Sequence, residues 1–525
     1  MPQRTSVRTY GKRARKPQPG KALAELDVNV SMSTTTSKST VSDDTVTKIT
    51  RRLKDVTIHD EQTTKSSAKP KAALPAPEPE PESVRLPPQT PRRLHQLEKP
   101  SLIPTPLDIQ EDSEILTWED VCPFGDRIEK IAEASYAEVY RITNDRGTSI
   151  IKVIRLESPI RPQTKAQQKS GLVDEEPHSE DDLAGELQIS ELLADIPGFV
   201  IYKEKYTVQG KTTPALLETH QSFHKKMKRK DPGRLQFYPS PSRYLNETKF
   251  LVVELGDAGT ALEDLEIRSV DQIWDIFLNV AVALARAENL VRFEHRDLHE
   301  GNVCVREVRS PEAKTDRSPR RFGYSGLDVT ILDYGLSRAE DAEDASARPI
   351  AQDLEKDLGL FTSTHAPQCR VYRQMRSYLL KGDRVCLPPE AHDRPYEKGV
   401  NGRVSWRQHH AYTNVLWLAY LYEYLVGNFK GGKKELAAFR RESQEFWTHL
   451  DPEAPPEILS FSSAEDVVEF AVEAGWIEED QLVGPNGDTS FSQAGDESII
   501  EIRSSRRDEV SLRRSPRRRV QPPVG

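Results

Sequence analysis

The segment that most constrains this chain is His295-Arg296-Asp297-Leu298-His299-Glu300-Gly301-Asn302, followed some thirty residues later by Ile331-Leu332-Asp333-Tyr334-Gly335. Each lies against a short apolar run, 302–305 and 329–332, that reads as a strand. Transfer of a phosphoryl group from a nucleotide asks little covalent chemistry of a protein. It asks for a carboxylate to accept the proton of the attacking hydroxyl, and for oxygen donors to hold the cation that neutralises the phosphates. Asp297 on a loop between elements is suited to the first task. Asn302 and Asp333 offer the hard oxygens that Mg2+ prefers. An isolated His-Arg-Asp in so charged a chain is weak evidence, but the spaced Asn and the apolar-Asp-aromatic-Gly sequence make chance recurrence a poor explanation.

The rest of the chain is organised around this pair. Its 525 residues accommodate one two-lobed enzyme with flanking segments. Residues 1–113 are rich in Ser, Thr, Pro and Lys and are expected to be a disordered arm, since they cannot bury enough apolar surface to offset chain entropy. Residues 114–255 read as a β-rich lobe and 256–480 as a helical lobe. Residues 481–525, ending in Arg513-Arg514-Ser515-Pro516-Arg517-Arg518-Arg519, read as a disordered basic tail. The expected fold class is therefore α+β and bilobal. Strands are predicted at 138–142 and 149–154 across an Asn144-Asp145-Arg146-Gly147 turn, then at 215–218 and 250–254. A helix carrying Leu183, Leu187, Ile189, Leu192 and Leu193 is expected to start at an N-cap of Asp181 or Asp182. Beyond Gly256, helices are predicted at 270–290, at 412–426 with one apolar face, and at 464–474. Four scattered cysteines form no metal or disulfide pattern. No apolar run approaches membrane-spanning length and no apolar stretch follows the basic start, which predicts a soluble intracellular protein without a membrane partner.

Further residues complete a nucleotide site of the protein-kinase type. Lys152, near the end of a strand, matches the lysine that holds α- and β-phosphates, and Glu186 in the next helix is its expected partner, with Glu191 the alternative. Glu254-Leu255-Gly256 after an apolar strand resembles a hinge whose backbone bonds adenine, with Val253 behind it; Val139 and Ile151 are expected to line the same pocket. The phosphate-covering loop departs from the GxGxxG pattern. Ala132, Ala134 and Ala137 stand at the glycine places, and alanine does not tolerate the positive φ angles that glycine does. ATP and Mg2+ are the expected cofactors.

These residues resemble the haspin family of atypical protein kinases. Gly185-Glu186-Leu187-Gln188-Ile189-Ser190 is similar to the family's αC segment, and Gly198-Phe199-Val200 with Val208-Gln209-Gly210 to its GF…VQG stretch. The catalytic loop has the DLHxGN form, and Asp333-Tyr334-Gly335-Leu336-Ser337-Arg338 is close to DYTLSR. Phe361-Thr362, Val371-Tyr372-Arg373-Gln374-Met375 and Tyr412-Thr413-Asn414-Val415-Leu416-Trp417-Leu418 resemble the FTG, IYRLM and YSNVLWL segments. The resemblance implies a nuclear, chromosome-associated Ser/Thr kinase of mitosis. It would act on a threonine of the histone H-three tail without activation-loop phosphorylation, with His299 binding the basic substrate. Glu300 replaces a tryptophan, Ser363-Thr364-His365 replaces acidic residues and Arg370 an aspartate. An acidic run, Glu340-Asp341-Ala342-Glu343-Asp344, offers charge to a cationic tail, or is a solvated loop.

Two other readings stay open on the residues alone: a small-molecule kinase of the aminoglycoside-phosphotransferase type, and a chromatin scaffold with an inactive kinase domain. In the arm, Val7-Arg8-Thr9-Tyr10-Gly11-Lys12-Arg13 resembles a motif that engages a cohesin-associated HEAT-repeat factor. The same residues and the Arg513–Arg519 run also suit nuclear import or weak nucleic-acid contact.

Overall fold

The computed structural model describes residues 115–134, 136–169, 176–232, 239–314, 318–341, 348–483 and 497–500. The calls on residues 1–113, on the Arg513–Arg519 run and on Ala342, Glu343 and Asp344 lie outside them.

Five strands form one antiparallel sheet: β1 (Arg127–Glu133), β2 (Glu138–Asn144), β3 (Gly147–Arg155), β4 (Tyr202–Gln209) and β5 (Lys249–Leu255), in the order β1-β2-β3-β5-β4. The Asn144–Gly147 turn closes the β2–β3 hairpin as expected, with Asn144 paired to Gly147. Alternation along the strands gives the sheet two apolar faces. The outer face gathers Trp118, Tyr140, Ile142, Ile151, Val153, Tyr206, Phe250 and Val252. The inner face gathers Ala137, Ile154, Leu251 and Val253 against Leu183 of helix α1 (Glu180–Leu193). That helix is capped by Ser179 rather than by Asp181 or Asp182. Ser179 accepts the Asp182 N–H at 3.3 Å while the Asp182 carboxylate accepts the Ser179 hydroxyl at 2.7 Å, so the acidic residue completes a capping box one turn in.

The strand expected at 215–218 is instead the first turn of helix α2 (Pro214–Lys230). Four apolar-rich residues do not distinguish strand from helix, but their flanks do. Thr213 caps the Leu216 N–H, Pro214 needs no donor at the first helical position, and Lys228, Arg229 and Lys230 sit where the helix dipole favours cations. The helix packs on β1: Thr219 accepts the Lys130 N–H at 2.7 Å, and Lys130 and His220 converge on the buried Glu138. The missing strand is β4, whose alternation shows only at Tyr206 and Val208.

The remainder is mainly helical. Helix α3 (Val270–Val291) is buried along most of its length, and a small sheet of Thr260–Ala261, β6 (Val303–Glu307) and β7 (Leu327–Ile331) lies beside it. Helix α4 is Gln368–Lys381, α5 is Tyr412–Gly427 and α6 is Ala464–Glu473. The expected single apolar face of α5 is corrected: thirteen of its residues are buried, around the whole circumference, because neighbouring helices surround it. Residues 497–500, inside the segment expected to be a solvated tail, pack on the outer face of the five-stranded sheet, where Ile499 and Ile500 join its apolar cluster. Among the described residues no helix is long and apolar enough to cross a membrane.

Candidate active site

Lys152 sits on β3 opposite Val139 and Val253. Its ammonium donates to Glu186 Oε1 of α1 at 2.6 Å, so the strand and helix are joined by the pair expected from sequence. Glu191, the alternative, lies instead 3.7 Å from Lys205. Burial pushes the Lys152 ammonium below its ordinary value, and the Asp333 carboxylate opposes that. Burial, reinforced by Asp333, raises Glu186.

The catalytic-loop segment turns sharply at Arg296, whose φ is +64°. The Arg296 guanidinium is fully buried, donating to Glu294 Oε2 at 3.0 Å and to the Trp406 carbonyl at 2.7 Å. His295 bridges the two motifs: its Nε2 lies 3.0 Å from the Leu332 carbonyl, while Nδ1 accepts the Asp297 N–H at 3.3 Å. With Nδ1 an acceptor, Nε2 carries the proton. Burial holds the imidazole down at about 4, so it serves as a neutral connector. Asn302 donates its side-chain amide to the Asp297 backbone carbonyl at 2.8 Å, and its backbone carbonyl accepts the Leu332 N–H at 2.8 Å.

Asp333 lies close enough to Asp297 to raise its proton affinity, and His299 favours the charged form of both carboxylates. Burial pushes Asp297 up to about 7, against the lowering influence of His299, Tyr372 and Asn302. Asp333 adopts a left-handed φ of +63°, a conformation that aspartate tolerates better than most residues. Although burial raises it, the Lys152 ammonium and the Gly335 N–H hold its carboxyl below the usual value. An anionic Asp333 and the Asn302 amide oxygen are hard donors that fit a magnesium ion shared with phosphates. His299 lies beside Asp297, with Nε2 3.9 Å from Oδ1. Its Nδ1 accepts the Gly301 N–H at 3.0 Å, which leaves the Nε2 proton facing the site.

Strand register corrects the nucleotide-pocket assignments. Residues 150, 152, 253 and 255 share one face, since Ile150 pairs with Leu255 and Lys152 with Val253. Ile151 therefore points to the outer apolar cluster, and Ile150 takes its place on the cleft face. The Glu254 side chain is likewise buried on the outer side, and the Gly256 N–H is taken by the Ile201 carbonyl at 2.9 Å. Period-two alternation assigns residues to two faces, but only the packing says which face is the cleft. Val139 pairs directly with Lys152, and Ala132 with Val139. Ala132, Ala134 and Ala137 are absent from the positive-φ residues among those described, and the loop closes through Ala134 N–H to the Ala137 carbonyl at 2.9 Å. Alanine is thus accommodated here without backbone strain; Ser135 lies outside the described residues.

Three participants carried no assigned role in the sequence. Tyr372 donates its hydroxyl to Asp297 Oδ1. Tyr136, at the tip of the alanine loop, places its ring 4.6 Å and its hydroxyl 3.3 Å from Lys152 Nζ. Asn414 accepts the His295 N–H at 3.0 Å and donates to the Phe293 carbonyl at 2.9 Å, tying α5 to the catalytic loop. Tyr372 and Asn414 lie in motifs whose form was visible, yet only the folded contact reveals their partners. Arg370 is answered by Glu453, Glu340 by Arg292 and Arg338, and Glu300 accepts the Tyr420 hydroxyl at 2.5 Å.

Residues 28–469 match the family described as "Haspin like kinase domain". The mouse serine/threonine-protein kinase haspin is 29% identical over 368 residues, covering 67% of this chain and 43% of the mouse protein. The Schizosaccharomyces pombe haspin homolog hrk1 is 26% identical over 397 residues, 68% of each. The Drosophila melanogaster homolog is 24% identical over 309 residues, 56% of this chain and 47% of the relative. The chain spans less than half the length of the mouse and bovine proteins it matches.

Proposed function

We propose that this chain, which belongs to the haspin-like kinase family, transfers the γ-phosphoryl group of ATP to a serine or threonine hydroxyl of a basic protein tail, with a histone H-three threonine in mitotic chromatin as its substrate. The observation that carries the reading is the convergence of Asp297, Asn302 and Asp333 beneath the Lys152–Glu186 pair.

In this reading Lys152, oriented by Glu186, holds the α- and β-phosphates. Asn302 and Asp333 hold Mg2+, which when bound screens the charge between the β- and γ-phosphates. Asp297 orients the substrate hydroxyl and accepts its proton; with an ionisation near 7 it is matched to that task at neutral pH. His299 presents its Nε2 proton toward the same space and helps seat the substrate. Adenine is held on the cleft face by Val139, Ile150, Val253 and Leu255, with its hydrogen bonds made by main-chain groups where β5 ends, at 254–256. Tyr136 must leave Lys152 for the phosphates to reach it.

Arg296 supports activity without activation-loop phosphorylation, because its guanidinium is already engaged by Glu294 and Trp406. A basic substrate is supported by an acidic group made of Glu300, in the catalytic loop, with Glu263 and Asp264, all three of which lie near the Tyr424 hydroxyl. The nuclear, chromosome-associated setting rests on the family relation and the basic runs at both ends.

Radiolabelled ATP with a panel of histone-tail peptides and small hydroxyl compounds, comparing wild type with Asp297→Asn, tests the proposal. Labelling of a tail threonine that disappears in the variant supports it. Labelling of small hydroxyl compounds alone overturns it in favour of a small-molecule kinase, and nucleotide binding without transfer in favour of a scaffold.

A further inference from the structure

Residues 497–500 bind the sheet through both backbone and side chains. The Ile499 N–H donates to Glu254 Oε1 at 2.9 Å and Ser498 Oγ to Oε2 at 2.6 Å. Ser149 Oγ and Tyr206 hydroxyl donate to the same carboxylate at 2.7 and 3.2 Å. Asn144 Nδ2 donates to the Ile499 carbonyl at 3.1 Å and Lys203 Nζ to the Glu497 carbonyl at 3.0 Å. Ile499 and Ile500 are 5% and 8% exposed, packed within the outer cluster. One short segment therefore joins the β2–β3 turn, β4 and β5.

Glu254 is the group this contact serves. Its residue is fully buried, and a buried carboxylate is costly unless donors surround it. Two of the four donors named above come from the segment. Glu254 directly precedes Leu255 and Gly256, where β5 leaves the sheet and passes to the cleft. Loss of the segment would open the carboxylate to water and release the strand end from one side.

We propose that residues 497–500 are an intramolecular clamp, docked on the outer face of β3, β4 and β5, that positions Glu254 and through it the strand leading to the adenine site. The inference rests on the nucleotide reading of the cleft. Ser498 and Ile499 act as positioning residues, since neither touches the cleft face, and nucleotide affinity depends on their docking.

The test uses the full-length chain. Amide exchange read by mass spectrometry over residues 497–500 reports docking without nucleotide, and titration with a fluorescent trinitrophenyl-ATP reports affinity. Wild type should protect the segment. Ile499→Asp with Ile500→Asp should lose that protection and weaken nucleotide binding about three- to tenfold, the scale of one ordinary hydrogen bond, while kcat at saturating ATP stays near wild type. Ser498→Ala, the milder variant, should fall between, and Ser498→Thr should restore wild-type affinity. An unprotected segment in the wild type overturns the clamp, and so does lost protection with unchanged nucleotide affinity. A wild-type chain that binds no nucleotide at all overturns the kinase reading as well, whereas failure of the clamp alone leaves wild-type binding intact.

Discussion

The hydroxyl of Tyr372 donates its hydrogen bond to Oδ1 of Asp297, the carboxylate proposed to take the substrate proton. Burial raises that carboxyl to about 7, and the tyrosine is one of the groups opposing the rise by favouring the charged form. Asp297 accepts a proton only when ionised, so kcat should increase with pH through about 7. Tyr372→Phe removes a donor to the ionised form, which raises the ionisation further. The acid limb of the kcat profile is expected to move upward by about one pH unit, with activity below neutral falling several-fold and recovering in alkaline buffer. A profile that keeps its limb and loses amplitude at every pH would contradict this role.

Lys152→Ala should cut transfer to a small residual rate while leaving the fold intact. The side chain lies at the cleft and its partner Glu186 is on the adjoining helix, so the loss falls on phosphate positioning. A reduction in kcat/KM of about a hundred- to a thousandfold is expected, with a smaller loss for Glu186→Gln. A melting curve measured beside the activity assay separates a lost contact from a lost fold.

Tyr136→Ala should bind nucleotide about threefold more tightly, because the ring now competes for the Lys152 ammonium through a contact of the cation–π kind. Tyr136→Phe keeps the ring and should remain close to wild type. Calorimetric titration with ATP checks both, and weaker binding in the alanine variant would show that the ring helps to hold the nucleotide.

Asn414→Leu should damage both stability and catalysis. It leaves the buried His295 N–H and Phe293 carbonyl without partners, and the Glu288 carboxylate without a donor at 2.8 Å. A loss of about 2–4 kcal/mol is expected from denaturant unfolding, with kcat reduced more than KM is raised, since the catalytic loop loses its anchor. Unchanged kcat in a destabilised protein would confine Asn414 to packing.

Much of the molecule was legible before folding. The long helices show themselves by apolar periodicity, the β2–β3 hairpin by its Asn-Asp-Arg-Gly turn, and Asp297, Asn302 and Asp333 by their local spacing around strands. The failures have local causes. Four residues, 215–218, were too few to distinguish strand from helix without weighing Thr213 and Pro214 before them. Ile151 lies on the outer face rather than in the cleft, because alternation alone does not say which face meets the nucleotide.

By itself the sequence determined which chemical groups are available: the carboxylates of Asp297 and Asp333, the Asn302 amide, a cationic strand residue and an acidic helix residue, each in a local pattern. Only the tertiary structure decided which of them meet. The contacts of Tyr372 with Asp297, Tyr136 with Lys152, and Ser498 with Glu254 span 75, 16 and 244 positions of chain. Such pairs are chosen by the packing of whole elements, in which burial and hydrogen bonding are satisfied together, and no spacing of residues along the chain encodes them.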